Sequence, residues 1–274
     1  MKSKILVLVA LFTGFVVSPA LAQMGSGGVS NTPRLNTTDR FVPVIGRNGM
    51  VTSREKMASQ VGADILKAGG NAVDAGVAVG FALAVTYPQA GNIGGGGFMV
   101  IHLAEENKSI AIDYREMAPN RAHRDMYLNE DGSVDDARSK YGALASGVPG
   151  TVAGMVHALE NYGTMSLAEV IKPAYDLAND GFPMYNYLQS SLNGRKERLM
   201  ENEAAGQVFY KADGSSYDYG EVLKQKDLAW SLKQIMEGGK DAFYKGEIAK
   251  RIVADQEAHG GLITMDDMAA YVAK

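Results

Sequence analysis

Cysteine is absent from all 274 residues, tryptophan occurs once and histidine four times. Without cysteine there is no disulfide framework and no thiolate metal ligand, so stability has to come from an ordinary hydrophobic core. The histidines, His102, His123, His157 and His259, never stand one helical turn apart, the spacing that puts two ligands on one helix face, and no metal site is expected. Neither sign of charge dominates: 27 Lys and Arg against 31 Asp and Glu give a formal net charge of −4, with both signs interspersed. No basic stripe offers itself to nucleic acid or acidic lipid. The cluster Arg195 to Arg198 has no aromatic residue interleaved and reads as a solvated helix face. Long apolar runs are missing too. The most apolar interior stretch, Ala72 to Val85, is broken by Asp74 and small residues and falls short of the roughly 20 residues a membrane span needs.

The first residues differ from the rest. Lys2 and Lys4 precede an apolar segment from Ile5 to Val17, and Ala20-Leu21-Ala22 supplies a small-residue cleavage site before Gln23. This is the pattern of a secretory signal peptide over 1–22, so a soluble periplasmic or secreted protein is expected. Residues 23–40, rich in Gly, Ser, Asn and Thr, predict a disordered leader, and order is expected from Phe41, giving one domain over 41–274.

Thr52-Ser53-Arg54-Glu55 fits a capping box opening a helix that runs to about Ala68. Asn71 caps the next helix, in which Ala72, Gly76, Gly80 and Ala84 leave one face without bulk; such a helix is expected to be buried nearly all round. Phe98 to Leu103 and Ile110 to Tyr114 predict a hairpin. Further helices are predicted at Thr151–Tyr162, at Leu167–Asn179 with the box Ser166/Glu169 and a kink at Pro173, at Leu228–Glu237 and at Glu247–His259. A last helix opens at Thr264, and the sequence ends inside it, which predicts a truncated chain. Strands in the first half and helices in the second give an α+β class.

The loop Gly91 to Gly97, with four consecutive glycines, joins the second helix to the hairpin. Such a run fits a backbone that takes positive φ or is approached very closely. Phosphate loops run strand, glycines, helix; here the order is reversed and no Lys-Ser/Thr follows. Gly147-Val-Pro-Gly-Thr-Val-Ala-Gly154 does precede a helix, but Pro149 removes an amide donor, so it reads as a tight turn into a closely packed helix. Ser53-Arg-Glu-Lys56 matches the S-x-x-K of penicillin-binding proteins and β-lactamases, and Ser191-Leu-Asn193 resembles their S-x-N element, whereas K-T/S-G and G-x-S-x-G are absent. An exported serine acylase or β-lactamase-like enzyme using Ser53 and Lys56 is therefore an alternative. Arg115 ends an apolar run, on the same side of a strand as Asp113 and beside Glu116. Its donor fork suits a carboxylate; the alternative is an internal ion pair with Asp113 or Glu116.

Five segments stand in one order: Gly69-Gly-Asn-Ala-Val-Asp74, Pro88-Gln-Ala-Gly-Asn-Ile-Gly-Gly-Gly-Gly-Phe-Met99, Asp113-Tyr-Arg-Glu-Met-Ala-Pro119, Ser146-Gly-Val-Pro-Gly-Thr-Val-Ala-Gly154 and Gly260-Gly-Leu-Ile-Thr264. From about Gly49 onward the chain resembles the large subunit of bacterial γ-glutamyltranspeptidases, N-terminal-nucleophile hydrolases. The resemblance implies a partial αββα four-layer sandwich, helix-rich in its second half and incomplete without the small subunit. It implies a precursor that cuts itself to free a threonine at the start of that small subunit, its partner. The threonine takes the γ-glutamyl group of glutathione or other γ-glutamyl compounds and passes it to water, amino acids or peptides, with no cofactor. In the resembling family the arginine matched by Arg115 binds the substrate α-carboxylate, with Asp113 and Glu116 to position it. No threonine of this chain matches the nucleophile, so no catalytic residue is assigned and the chain alone is expected to be inactive. A shortened paralogue that binds γ-glutamyl compounds without catalysis is the remaining alternative.

Overall fold

In the computed structural model, which describes residues 44–274, the core is built around helix α2. The helices in chain order are α1 (Lys56–Lys67), α2 (Ala72–Thr86), α3 (Asp136–Lys140), α4 (Thr151–Tyr162), α5 (Leu167–Asn179), α6 (Asn186–Asn193), α7 (Lys196–Met200), α8 (Glu203–Phe209), α9 (Lys226–Tyr244), α10 (Glu247–Ala258) and α11 (Met265–Ala270). Two antiparallel pairs of strands accompany them: β1 (Phe98–Leu103) with β2 (Lys108–Asp113), and the two-residue β3 (Phe182–Pro183) with β4 (Val222–Leu223). The signal-peptide and leader segments read from the sequence lie outside the described residues. Ile45–Lys274 form one compact unit.

α2 begins with a reciprocal cap. The Asn71 side chain accepts from the Val73 and Asp74 amides, and the Asp74 carboxylate accepts from the Asn71 amide, which satisfies donors that a helix start leaves open. Val77, Ala78, Ala82 and Val85 are fully buried. α1, α4 and α5 pack around this helix, α9 lies against α5 and α4, and α10 lies against α9. The face without bulk is used in part: Gly80 lets Met155 of α4 lie directly on the α2 backbone, while Ala72 and Gly76 are exposed.

α4 and α5 have the predicted bounds, and α5 continues past Pro173. The start of α1 differs. Its cap is Glu55, whose carboxylate accepts from the Met57 and Ala58 amides at 2.9 Å, and Thr52 lies outside the helix. α9 runs beyond the expected Glu237 to Tyr244 through a break at Gly239, φ 63°, a left-handed conformation that glycine adopts without a Cβ clash. The short helices α3, α6 and α8 carry too few turns to show a period and were not expected from the sequence, whereas α7 contains the Lys196 to Arg198 stretch read as a helix face.

In the hairpin Phe98 stands opposite Asp113 and Leu103 opposite Lys108. Ile101 and Ile112 point to the helices and are buried; on the other face Phe98 is 63% and Val100 76% exposed. One face of the hairpin is thus covered by helices and the other is open, a partial α+β arrangement. The end of the chain also departs from expectation. α11 stops at Ala270, Tyr271 is extended, and Lys274 exchanges two backbone hydrogen bonds, 2.7 and 2.8 Å, with Asp113 on the outer edge of β2. The final residues therefore leave the helix for the sheet. No helix among the described residues is long and apolar enough to cross a membrane.

Candidate binding site at Arg115

None of Gly94 to Gly97 lies at positive φ; Gly95, Gly96 and Gly97 serve close approach, whereas a Cβ on Gly94 would meet only Asn92 Oδ1 at 3.8 Å. The Gly95 carbonyl accepts from the amides of Gly150 and Thr151, at 2.7 and 2.9 Å, where α4 begins. Gly96 lies on the backbone of Tyr114, Arg115 and Glu116, where a Cβ would meet the Glu116 nitrogen at 2.7 Å. Gly97 and Tyr114 exchange two hydrogen bonds, 3.2 and 3.0 Å. Beyond Arg115, Met117 and Val148 exchange another pair, 3.1 and 2.8 Å. Gly150 and Gly154 complete the bed: the first abuts the Tyr114 carbonyl and the Tyr271 hydroxyl, and the second abuts the Tyr114 ring. The close packing expected of the helix in the 147–154 segment is present, but the expected tight turn is not: Val148 lies in an extended bridge with Met117 just before α4. The bed joins two glycine-rich motifs, far apart in sequence, against one stretch of backbone.

Arg115 itself is held through its main chain. Its amide donates to Asp113 Oδ1 at 2.9 Å, and its carbonyl accepts from the Tyr271 hydroxyl at 2.7 Å. Its side chain is 64% exposed, with Nε 3.4 Å from Glu116 Oε2 and Cζ 5.8 Å from the centre of the Phe98 ring. The guanidinium thus stands over a cleft of about 160 Å³ that Asp113, Glu116, Met117, Tyr271, Val272 and Lys274 also line. Of the two acidic neighbours, Asp113 engages the Arg115 backbone and Glu116 makes the longer side-chain contact. Exposed ion pairs of that kind contribute little, so most of the fork remains available to a ligand.

Two tyrosines that the sequence gave no reason to single out complete the site. The rings of Tyr244 and Tyr271 stack with centres 5.6 Å apart and planes 7° from parallel. The Tyr244 hydroxyl donates to the Pro149 carbonyl at 2.8 Å and accepts from the Ala153 amide at 3.2 Å. It thereby caps α4, whose N-cap residue Gly150 has no side chain to do so. Burial pushes the Tyr244 phenol well above the usual tyrosine range. Burial, with the charges of Asp113 and Glu116, pushes Tyr271 up to about 12. Both hydroxyls therefore keep their protons, and their donor roles, at neutral pH. They are two of thirteen tyrosines and sit in no motif.

The Ser53 hydroxyl bonds the Glu55 carbonyl and the Ser59 hydroxyl, both at 2.8 Å. Lys56 is exposed and makes no hydrogen bond to Ser53 among the described residues. Ser191, the second element of that reading, accepts from Arg195 at 3.0 Å. Nothing in this arrangement activates Ser53, since a nucleophile needs a base within hydrogen-bond reach. No group of three or more His, Cys, Asp or Glu among the described residues is placed to hold a metal ion.

The fold has counterparts among known proteins. Residues 58–274 match the γ-glutamyltranspeptidase family. The chain is 50% identical over 235 residues to the glutathione hydrolase proenzyme of Escherichia coli (strain K12), covering 86% of this chain and 40% of that protein. It is similar to the crystal structure of Helicobacter pylori γ-glutamyltranspeptidase with a TM-score of 0.83 and 43% identity, over 85% of this chain and 66% of that one. Against a cephalosporin acylase from Bacillus halodurans the TM-score is 0.70 at 27% identity, over 88% of this chain and 46% of the other. The chain belongs to the γ-glutamyltranspeptidase family and has the partial α+β fold of these N-terminal-nucleophile hydrolases. It spans about 40% of the length of the curated relatives it matches.

Proposed function

We propose that this chain is the N-terminal portion of an exported γ-glutamyltransferase or glutathione hydrolase precursor. In this reading Arg115 binds the α-carboxylate of the γ-glutamyl donor, glutathione or a related amide. The observation that carries it is the unequal treatment of Arg115: its backbone is fastened on both sides, while its guanidinium is left over an open cleft with one long ion-pair contact. A planar fork held this way takes a carboxylate in two parallel hydrogen bonds and fixes how far the γ-amide lies from the nucleophile.

The nucleophilic threonine and the oxyanion donors come from the small subunit of the same precursor. That subunit packs on the open hairpin face, where Phe98 and Val100 are exposed. The acyl group passes from the threonine to water or to an amino-acid or peptide acceptor. The chain alone does not turn over substrate, because the groups that bind the transition state better than the ground state are not on it. Export rests on the signal-peptide pattern over 1–22. The 43% and 50% identities, against 27% to the acylase, favour the γ-glutamyl branch over the cephalosporin branch.

The test is Arg115→Lys in the full-length precursor, assayed with a chromogenic γ-glutamyl anilide. Lysine keeps the charge and loses the fork, so KM should rise by a factor equivalent to about 1–3 kcal/mol while self-cleavage continues. An unchanged KM would return Arg115 to a structural ion pair. Turnover by the 274-residue chain alone would overturn the assignment of the chemistry to the small subunit.

A further inference from the structure

We propose that Tyr271 is a positioning residue for donor recognition: with Tyr244 it forms a two-ring brace that fixes the main chain of Arg115 and so aims its guanidinium. The proposal rests on the reading of Arg115 as the carboxylate ligand and names what holds that ligand in place.

The Arg115 side chain is largely exposed and has only the long Glu116 contact and the distant Phe98 ring to orient it, so its direction depends on where its Cα and peptide planes sit. Its amide is fastened locally by Asp113, two residues away. Its carbonyl is fastened from across the fold, by Tyr271 at a separation of 156 residues. Tyr271 is itself located on two sides. Its hydroxyl meets Gly150, where any Cβ would collide with it, and its ring lies flat against Tyr244. Tyr244 is buried and anchored to both the Pro149 carbonyl and the Ala153 amide at the start of α4. A continuous chain of contacts thus runs from the α4 N-terminus through two rings to the Arg115 carbonyl. The chain leaves α11 at Ala270, and Tyr271, whose ring stacks on Tyr244, stands in extended backbone just beyond it.

Recognition of a carboxylate by a fork needs placement to about 0.5 Å, which is what a rigid support supplies. Loss of the brace should weaken donor binding and leave chemistry at the threonine unchanged. The decisive comparison uses Tyr271→Phe in the full-length precursor, which keeps the ring stack and removes only the hydroxyl. With a γ-glutamyl anilide, KM should rise about three- to tenfold, the equivalent of one hydrogen bond, with kcat within about twofold and self-cleavage intact. With a 4-aminobutanoyl anilide, which lacks the α-carboxylate, kcat/KM should not change. Combined with Arg115→Lys, Tyr271→Phe should add nothing.

Tyr244→Phe, which releases the far end of the brace, should move KM in the same direction and serves if Tyr271→Phe does not accumulate. Equal losses of kcat/KM on both substrates would mark Tyr271 as merely structural and overturn the proposal. Arg115→Lys raising KM while Tyr271→Phe leaves it unchanged would overturn the brace and keep the Arg115 reading. An Arg115→Lys variant with unchanged KM would remove both.

Discussion

Asp74 offers the sharpest test of how the fold is held. It is fully buried, and its carboxylate accepts four hydrogen bonds: Oδ1 from the amides of Thr164 and Met165 at 2.8 and 3.1 Å, Oδ2 from the Asn71 amide at 2.7 Å and the Thr164 hydroxyl at 2.6 Å. One side chain therefore ties the start of α2 to the connection between α4 and α5. Burial alone would raise its pKa; the hydrogen bonds from Thr164, Asn71 and Met165 outweigh burial and hold it below the ordinary value. Each hydrogen bond to a charge contributes about 1.5–3 kcal/mol, but the four are not additive, because the Thr164 hydroxyl can turn and water reaches part of the vacated site. Asp74→Ala should accordingly cost about 3–5 kcal/mol, the range for removing one partner from a buried charged network. Asp74→Asn should cost about 2–3 kcal/mol, since its oxygen still serves Thr164 and Met165 while its amide group opposes the Asn71 N–H. Urea unfolding at neutral pH measures both. The sign of the pH dependence follows from the depressed pKa. The stabilisation is complete above the unfolded carboxylate pKa of about 3.9 and is lost as pH falls through the lower folded value. The gap between wild type and Asp74→Ala should therefore narrow below about pH 4. A cost of Asp74→Ala under about 1 kcal/mol, or a gap independent of pH through that window, would refute the reasoning.

Gly96→Val places a branched side chain against the Tyr114 to Glu116 backbone and should cost more than about 3 kcal/mol or abolish folding, whereas Gly76→Ala, in open space on a helix, should be neutral or stabilising by up to about 1 kcal/mol; thermal melting of the pair checks this. The 274-residue chain alone should bind a hydrophobic dye through the open hairpin face, and Phe98→Ser with Val100→Thr should reduce that binding, so equal dye fluorescence in both would show that this face is not the exposed patch.

Much of this molecule is written locally. The caps Asn71, Ser166 and Thr264 determine where α2, α5 and α11 start, because a side chain bonding amides two or three residues ahead needs nothing from elsewhere in the chain. The β-branched and aromatic runs of the hairpin and the motif around Arg115 were legible because they too are local in sequence. Other features exist only after folding. The sequence shows no aromatic residue among Arg195 to Arg198, yet Tyr141 lies 3.7 Å from Arg198 and Tyr210 lies 5.7 Å from Lys196, both brought in from other segments. Glu55 displaces Thr52 as the cap of α1 because its longer side chain folds back onto the first amides, a choice that spacing cannot foretell. The four glycines announced a close approach without naming what approaches; the fold supplies the backbone of residues 114–116 on one side and the start of α4 on the other. The support of Arg115 by Tyr271 joins residues 156 positions apart. A hydrogen bond of that kind leaves no periodicity or motif in the sequence, because only the packing of α4, α9 and the chain after α11 brings its two ends together.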